Sequence, residues 1–321
     1  MPTDHVSPPS PLSGISRIGL GAMRLSTQGR PASDEAEAVV RRAVELGITL
    51  VDTADVYALD DGDVGHNERL VAGVLRRMGA GFGGGEGSPR VVVATKGGMT
   101  RPGGRWEPNG RPEHLRAACE ASLRALGVDR IDLYQFHTPD PAVPFAESVG
   151  ALARLRDEGK VAAVGLSNVT LPQIREAAAL VPMTSVQNGL RAFDALGGPS
   201  PVVEHCRREG ITFLAYAPLG GQQGVEALSA TPALRVEAER RGVTPHELAL
   251  AWLLRLGDHL VPLPGPSRVA SVESAVRAAT LELGPGDEGA LARAFAAVPG
   301  APGRLRRTLR RLRGLWGLRN V

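Results

Sequence analysis

The chain is poor in cysteine and has no long apolar run, and each shortage excludes a class of protein. Its 321 residues include two cysteines, Cys119 and Cys206, which lie far apart and belong to no CxxC or Cys/His cluster. We therefore expect free, buried thiols in a reducing cytoplasm, with no disulfide framework and no metal site. No run approaches the ~18 apolar residues that a membrane-spanning helix needs. The N-terminal MPTDHVSPPSPL also lacks the apolar core of a signal peptide.

Acidic residues are missing from the C-terminal end, since none follows Glu288 and seven arginines lie within 301–321. The whole chain has a formal net charge of +3, so the part before this tail is slightly acidic. Apolar residues recur at helical spacing among the arginines: Leu305, Leu309, Leu312 and Trp316. This pattern predicts a basic amphipathic tail that packs against the protein body. Contact with nucleic acid or a membrane is the alternative, and no nucleic-acid motif supports it.

Short β-type runs alternate with amphipathic stretches along the chain. The candidate strands are ISRIGL, ITLVDT, VVVATK, IDLYQFH, VAAVGLS, TSVQN, ITFLAYA and HLVPLPG. The candidate helices cover residues 33–47, 64–78, 112–126, 145–158, 171–180, 200–209, 231–255 and 268–279.

This alternation predicts an α/β protein with a single (β/α)₈ barrel domain over residues 13–300, including an N-terminal strand or hairpin. We expect residues 1–12 to be a disordered lead-in and residues 301–321 to be the basic tail. A doubly wound open sheet is the competing topology, because alternation alone does not establish closure.

One glycine motif is typical of a different fold, the Rossmann fold. The run GAGFGG (79–84) satisfies G-x-G-x-x-G, which in a Rossmann unit follows a strand and opens a helix. Here it follows a predicted helix and precedes a predicted strand. We interpret it as a flexible loop at the bottom of the barrel, and a dinucleotide would have to bind by another route.

Four polar side chains follow three of the predicted strands: Asp52 with Tyr57, then Lys96, then His137. A parallel barrel gathers these strand ends on one face. Carbonyl reduction needs a proton donor, and a phenol with a pKa near ~10 is a poor acid unless a cation favours the phenolate. Lys96 would supply the cation, Asp52 its counter-charge, and His137 would orient the carbonyl oxygen. Taken singly, each residue also fits a structural role at a strand end or in a turn.

The motifs VDTADVY, ATKGG and FHTPD, spaced as they are here, resemble the aldo-keto reductase superfamily over roughly residues 14–280. The resemblance implies that Tyr57 is the general acid, Lys96 and Asp52 its tuning pair, and His137 the residue that orients the carbonyl. It also implies NADP(H), bound extended across the barrel mouth, with NAD(H) as the alternative.

The same resemblance assigns cofactor contacts to the remaining strand ends. Short polar groups would hold the nicotinamide amide and Tyr216 would stack on its face, while Leu219 and Gly221 would run beside the pyrophosphate. Gly265, Ser267 and Arg268 would form the phosphate and adenosine clamp, whereas Ser274 and Ala275 replace the family's Glu-Asn. The predicted nicotinamide amide contacts are Ser167, Asn168 and Gln187.

The sequence predicts reduction of an aldehyde or ketone but does not identify which one. Trp106, Phe145 and Phe193 are candidates to line an apolar substrate pocket, or to pack their own loops. Two other functions remain open: a nucleotide-sensing regulatory protein on the same fold, and an alcohol dehydrogenase working in the oxidative direction. Neither a nucleic acid nor a membrane is an expected partner, and the oligomeric state is open.

Overall fold

The structure is a computed structural model that describes residue 10 and residues 12–80 and 90–301. The strands within these ranges are β1 (Leu20–Gly21), β2 (Leu50–Asp52), β3 (Val92–Gly97), β4 (Met99–Thr100), β5 (Glu107–Pro108), β6 (Ile131–Phe136), β7 (Val161–Ser167), β8 (Met183–Gly189), β9 (Thr212–Tyr216) and β10 (Leu260–Leu263). All except β4 and β5 belong to one parallel sheet, in the order β1, β2, β3, β6, β7, β8, β9, β10.

Helices connect these strands. They are α1 (Ser33–Glu45), α2 (His66–Arg77), α3 (Pro112–Leu126), α4 (Phe145–Asp157), α5 (Leu171–Ala178), α6 (Pro201–Glu209), α7 (Gly221–Ala230), α8 (Pro232–Glu239), α9 (Pro245–Leu254), α10 (Val269–Ala279) and α11 (Glu288–Ala296). In the part of the chain that the structure describes, no helix is long and apolar enough to cross a bilayer.

Backbone hydrogen bonds between the first and last strands close the sheet. The Gly19 amide donates to the Pro262 carbonyl at 3.0 Å, and the Gly21 amide to the Pro264 carbonyl at 2.9 Å. A Cβ at Gly21 would lie 3.1 Å from the Leu263 carbonyl oxygen, so glycine allows this close approach. The predicted (β/α)₈ barrel is confirmed, and the open sheet is excluded.

Inside the barrel, apolar side chains form a core and polar side chains lie at the C-terminal ends of the strands. Leu50, Val92, Ala94 and Leu133 point inward and belong to a buried apolar cluster. Side chains point to the same face every second residue, so Asp52, two positions after Leu50, also points inward. Asp52 is the last residue of β2, so the apolar core gives way to a polar side chain at the C-terminal end of this strand. The candidate site lies on this face.

One predicted helix is in fact two. The interval 231–255 contains α8, which ends at Glu239, and α9, which begins at Pro245. Thr244 Oγ1 accepts from the Glu247 amide at 3.2 Å, and the Glu247 carboxylate accepts from the Thr244 amide at 2.8 Å. This capping box stabilises an N-terminus inside the predicted helix, so the single-helix prediction was wrong.

Four elements were absent from the predicted set: the antiparallel strands β4 and β5, and the helices α7 and α11. The paired strands have two residues each, which is too short for alternation to show. Helix α7 begins in the glycine-rich GGQQG, which disfavours helix by intrinsic propensity.

Several predictions fall largely outside the described residues. Most of the lead-in and almost all of the tail do so, as does the glycine-rich loop at 81–89. That loop lies between α2 and β3, so the order of elements is the reverse of a Rossmann unit. Leu12, assigned to the lead-in, is buried and packs with the barrel interior.

Candidate active site

Lys96 sits at the centre of a buried charge network. Its ammonium donates to Asp52 Oδ2 at 2.7 Å, to the Thr53 carbonyl at 2.8 Å and to Tyr57 Oη at 2.9 Å. These three bonds use all of its donors, and the side chain is 0% exposed. The structure therefore brings Asp52, Tyr57 and Lys96 together as predicted, with Lys96 between the carboxylate and the phenol.

Two glutamines share the other oxygen of Asp52. Gln187 Nε2 donates to Asp52 Oδ1 at 2.7 Å, and Gln135 Nε2 donates to the same atom at 3.3 Å. Ser185 Oγ in turn donates to Gln135 Oε1 at 3.4 Å. A Cβ at Gly165 would lie 2.2 Å from Ser185 Oγ, so this polar layer depends on glycine at that position. Sequence reasoning missed Gln135 and Ser185, although counting back two residues from His137 identifies Gln135 as inward-facing.

Burial decides the acidity of Tyr57. Desolvation raises the pKa of this phenol to about 12, against the lowering effect of the neighbouring Lys96 ammonium. The sequence predicted a cation that makes the phenol a better acid; the cation is in place, but desolvation is the larger effect in the cofactor-free protein. Tyr57 is therefore protonated throughout the neutral range, and the raised pKa makes it a weaker acid than an exposed phenol.

His137 is held as a neutral imidazole. Burial, and secondarily Lys96, lower its pKa well below the usual value. Its Nδ1 is buried without a partner, which costs less for an acceptor nitrogen than for an N–H group that needs one. His137 also lines the cavity, so its Nε2 is the nitrogen left to donate a hydrogen bond there.

An asparagine at the end of β7 connects three strand ends. Asn168 Nδ2 donates to the His137 carbonyl at 2.9 Å, and its Oδ1 accepts from Tyr216 Oη at 2.8 Å. Its φ of 59° is a left-handed conformation that asparagine tolerates better than most residues. Both polar atoms of the side chain thus have protein partners here, and its contact with the nicotinamide amide stays a prediction.

These residues surround a cavity of about 380 Å³ at the barrel mouth. Asp52, Tyr57 and His137 line it, together with seven of the nine predicted cofactor residues: Ser167, Asn168, Gln187, Tyr216, Leu219, Gly221 and Gly265. Ser267 and Arg268 do not line it; they follow Gly265, where Arg268 is exposed at the start of α10.

Met23 and Arg24 are among the lining residues that the sequence analysis missed. Met23 and Arg24 belong to a short helical turn after β1, and both side chains are exposed. Within the described ranges, Arg24 forms no ion pair. A Cβ at Gly265 would lie 3.8 Å from the Arg24 side chain, so Arg24 lies beside the segment that leads to Arg268.

Of the three aromatic residues proposed for the pocket, Trp106 alone lines the cavity. Phe145 packs against Phe136, with ring centres 6.2 Å apart, and Phe193 is buried in the main core. Of the two roles left open for these phenylalanines, the structure shows packing against the protein core and not lining of this cavity. Among the described residues, no group of three or more His, Cys, Asp or Glu side chains is arranged to hold a metal ion.

A model of the aldo/keto reductase family matches residues 17–291. The chain belongs to this family. Among its relatives, an uncharacterized oxidoreductase of Schizosaccharomyces pombe is 34% identical over 274 residues, which cover 84% of this chain and 83% of the relative. A Glycine max protein named "Probable aldo-keto reductase 1" is 33% identical over 318 residues, covering 89% and 86%. The predicted family and the predicted oxidoreductase class are confirmed.

Solved aldo/keto reductase structures share the fold. A glycerol dehydrogenase from Gluconobacter oxydans superposes with a TM-score of 0.73 at 25% identity, covering 94% of this chain and 98% of that one. An aldo-keto reductase from Klebsiella pneumoniae, in complex with NADPH, gives a TM-score of 0.70 at 23% identity, covering 88% and 91%.

Proposed function

We propose that this aldo/keto reductase uses NADP(H) to reduce an aldehyde or ketone to an alcohol, with Tyr57 as the proton donor. The observation that carries the proposal is the 2.9 Å bond from Lys96 Nζ to Tyr57 Oη, at the wall of the cavity and beside a neutral His137. A carbonyl oxygen placed there would accept a hydrogen bond from His137 and a proton from Tyr57. The phenolate left behind would stay beside the Lys96 ammonium, whose charge Asp52 balances.

The residues at the mouth suit a nicotinamide dinucleotide. When bound, this cofactor supplies the hydride. Tyr216 is 37% exposed on the cavity wall, and a Cβ at Gly189 would come within 3.2 Å of its ring, so glycine leaves room for the ring. Gln187 Nε2 donates a hydrogen bond to Asp52. Its Oε1 is left to accept a hydrogen bond from a carboxamide. Ser167 offers a hydroxyl beside it.

The phosphate end of the proposed cofactor site rests on two exposed arginines, Arg24 and Arg268. A guanidinium suits the 2′-phosphate that distinguishes NADP from NAD, and the Klebsiella pneumoniae relative was crystallised with NADPH. Position 275 contributes nothing polar, because Ala275 is buried against Ile18 and Leu250. We therefore place the discrimination between the two cofactors on Arg268.

The decisive test is oxidation of NADPH by a panel of aldehydes and ketones, with Tyr57→Phe beside the wild type. We expect Tyr57→Phe to lose roughly 10²- to 10⁴-fold in kcat, the range for a general acid, with NADPH affinity within about twofold of wild type. Near wild-type turnover by the variant would remove Tyr57 as the acid. Tight NADPH binding with no turnover of any carbonyl by the wild type would favour the nucleotide-sensing alternative.

Arg268→Ala tests the cofactor assignment. We expect NADPH affinity to fall roughly 10- to 100-fold, as for loss of a charge-assisted hydrogen bond, and NADH affinity to fall much less. Arg175→Ala, which removes an exposed arginine on α5, is the matched control and should leave both affinities unchanged. Equal losses for both cofactors would show that Arg268 does not contact the 2′-phosphate.

Burial keeps Tyr57 in the protonated form that carbonyl reduction uses, although the same raised pKa makes the phenol a weaker acid. Alcohol oxidation needs the phenolate as the base, and a pKa of about 12 makes that form scarce at neutral pH in the cofactor-free protein.

A further inference from the structure

The hairpin β4–β5 places Trp106 next to the side chains that we propose carry out the reaction. Met99 pairs with Pro108 and Thr100 with Glu107, and the connecting segment carries Trp106. The Trp106 ring lies edge-to-face with Tyr57, at 6.3 Å between centres, and with His137, also at 6.3 Å. Trp106 is nevertheless 43% exposed at the cavity wall, so it retains uncovered aromatic surface next to the proposed acid.

A buried arginine holds that tryptophan. The Arg101 guanidinium carbon lies 3.9 Å from the centre of the Trp106 ring, and Arg101 is 2% exposed. Its Nη2 donates to the Ala58 and Leu59 carbonyls, each at 3.1 Å, and its Nη1 donates to the Gly104 carbonyl. One side chain therefore joins the loop that follows Tyr57 to the loop that presents Trp106.

The burial of Arg101 carries a desolvation cost that its contacts must offset. Burying a guanidinium is expensive unless a carboxylate pairs with it, and within residues 12–80 and 90–301 no carboxylate lies at ion-pair distance from Arg101. Backbone carbonyls and Gln28 Oε1, at 3.1 Å, accept from its two terminal nitrogens instead, while its buried Nε has no partner among the described residues. These acceptors are directional, so they fix the plane of the guanidinium and, through stacking, the plane of the Trp106 ring.

Two polar and two apolar lining residues reach the cavity from different elements. Ser167 and Gln187 lie at the ends of β7 and β8, whereas Met99 and Trp106 come from the hairpin after β3. A carbonyl bonded to Tyr57 and His137 can turn its substituent toward the hairpin. A hydroxylated substituent would lose hydrogen bonds there, while a flat apolar one would cover the exposed face of Trp106.

We propose that Trp106 determines specificity for carbonyl compounds with a flat apolar substituent, such as aryl aldehydes, and that Arg101 is the positioning residue that holds it. This inference rests on the proposed function, since it concerns the substrate of the same reaction.

The experiment compares benzaldehyde with propanal as substrates, with NADPH saturating. We expect Trp106→Ala to lower the ratio of kcat/KM for benzaldehyde to that for propanal by about 10- to 100-fold, the range for a missing contact in an apolar pocket. The loss should appear in the KM for benzaldehyde more than in kcat, because Trp106 would contact the phenyl ring equally in the ground state and the transition state. Trp106→Phe should restore most of the ratio.

Arg101→Met tests the positioning role, because methionine keeps apolar volume but loses the guanidinium and its bonds. We expect the benzaldehyde preference to fall although Trp106 is present. The matched control is Arg105→Met, which changes an exposed arginine of the same hairpin and should leave the ratio at the wild-type value. Thermal unfolding identifies variants that fail to fold, and the Trp106 variants then decide the proposal.

The outcomes distinguish a failure of this inference from a failure of the proposed function. Equal changes for both aldehydes in Trp106→Ala, with the wild type active on both, would overturn this inference and leave the proposed function intact. An unchanged ratio in folded Arg101→Met would remove Arg101 as the positioning residue. A wild type that reduces no carbonyl compound would overturn the proposed function and this inference together.

Discussion

Two buried aspartates three residues apart should respond to the same substitution in opposite ways. Asp52 accepts from the Lys96 ammonium at 2.7 Å and from Gln187 at 2.7 Å. Asp55 accepts only from the Val56 amide, at 2.7 Å, among the residues described. Burial, and next the nearby Glu68, raise the pKa of Asp55 well above its usual value. Asp52 is therefore a paired carboxylate, whereas ionisation of Asp55 is opposed by its surroundings.

We expect Asp52→Asn to lower the free energy of unfolding by about 3 to 5 kcal/mol, the cost of removing one partner from a buried ion pair. The substitution leaves Lys96 without a counter-charge. It also places an amide N–H₂ where both carboxylate oxygens now accept hydrogen bonds. Gln187 or Lys96 must then face another donor, so neither orientation of the asparagine amide restores the network.

Asp55→Asn should change stability by less than about 1 kcal/mol at neutral pH, or increase it, because it removes a carboxyl that resists ionisation. The sign of the pH dependence follows from the raised pKa. A carboxyl whose pKa is higher in the folded state stabilises the fold below its unfolded pKa of about 4, and that contribution is lost as pH rises toward the folded value. The stability of Asp55→Asn relative to that of the wild type should therefore increase as pH rises from about 4.

Urea unfolding followed by circular dichroism, at several pH values between about 4 and 8, measures both effects. The reasoning predicts a large loss for Asp52→Asn at neutral pH, and a difference between Asp55→Asn and wild type that moves in favour of the variant with pH. Equal losses for the two variants would refute the assignment of charge. So would a difference for Asp55→Asn that does not change with pH.

Three further outcomes follow from the geometry. Titration of the cofactor-free protein, as the absorbance of wild type minus Tyr57→Phe, should show no ionisation of Tyr57 below about pH 10, because its pKa is about 12; an earlier transition would contradict this. Gly189→Ala should weaken NADPH binding several-fold, since its Cβ would come within 3.2 Å of the Tyr216 ring; unchanged affinity would show that the ring has room to move. Cys119 and Cys206 should resist thiol reagents in the native protein, because burial raises each pKa to about 12; rapid labelling would show that the thiols are accessible.

The central site was predictable because it depends on the regular part of the fold. Asp52, Lys96 and His137 each follow a β-type run, and barrel geometry brings the ends of such runs together whatever the loops do. The two-residue period extends this logic, since Lys96 is in phase with the apolar Val92 and Ala94 on β3. The strand sequences therefore predict that polar side chains lie at the C-terminal end of the barrel, next to an apolar interior.

What could not be predicted depends on loops or on the balance of opposing effects. Trp106 reaches Tyr57 through a hairpin whose strands are two residues long, with no alternation to reveal it. Arg101 is charged, and sequence patterns place such residues at the surface. The pKa of Tyr57 is set by competition between Lys96 and burial, and burial is a property of the folded structure.

Gln187 ties the proposed cofactor site to the charge network. Its Nε2 bonds Asp52, the carboxylate that balances Lys96, and Lys96 in turn bonds Tyr57. A nicotinamide amide bound to Gln187 Oε1 would therefore be connected to the Lys96 ammonium through the side chains of Gln187 and Asp52. A loss of NADPH affinity in a Gln187 variant cannot then be assigned to cofactor contact alone, because the substitution also removes a hydrogen bond from Asp52. Separating the two effects requires the stability of the cofactor-free variant, which reports only on the bond to Asp52.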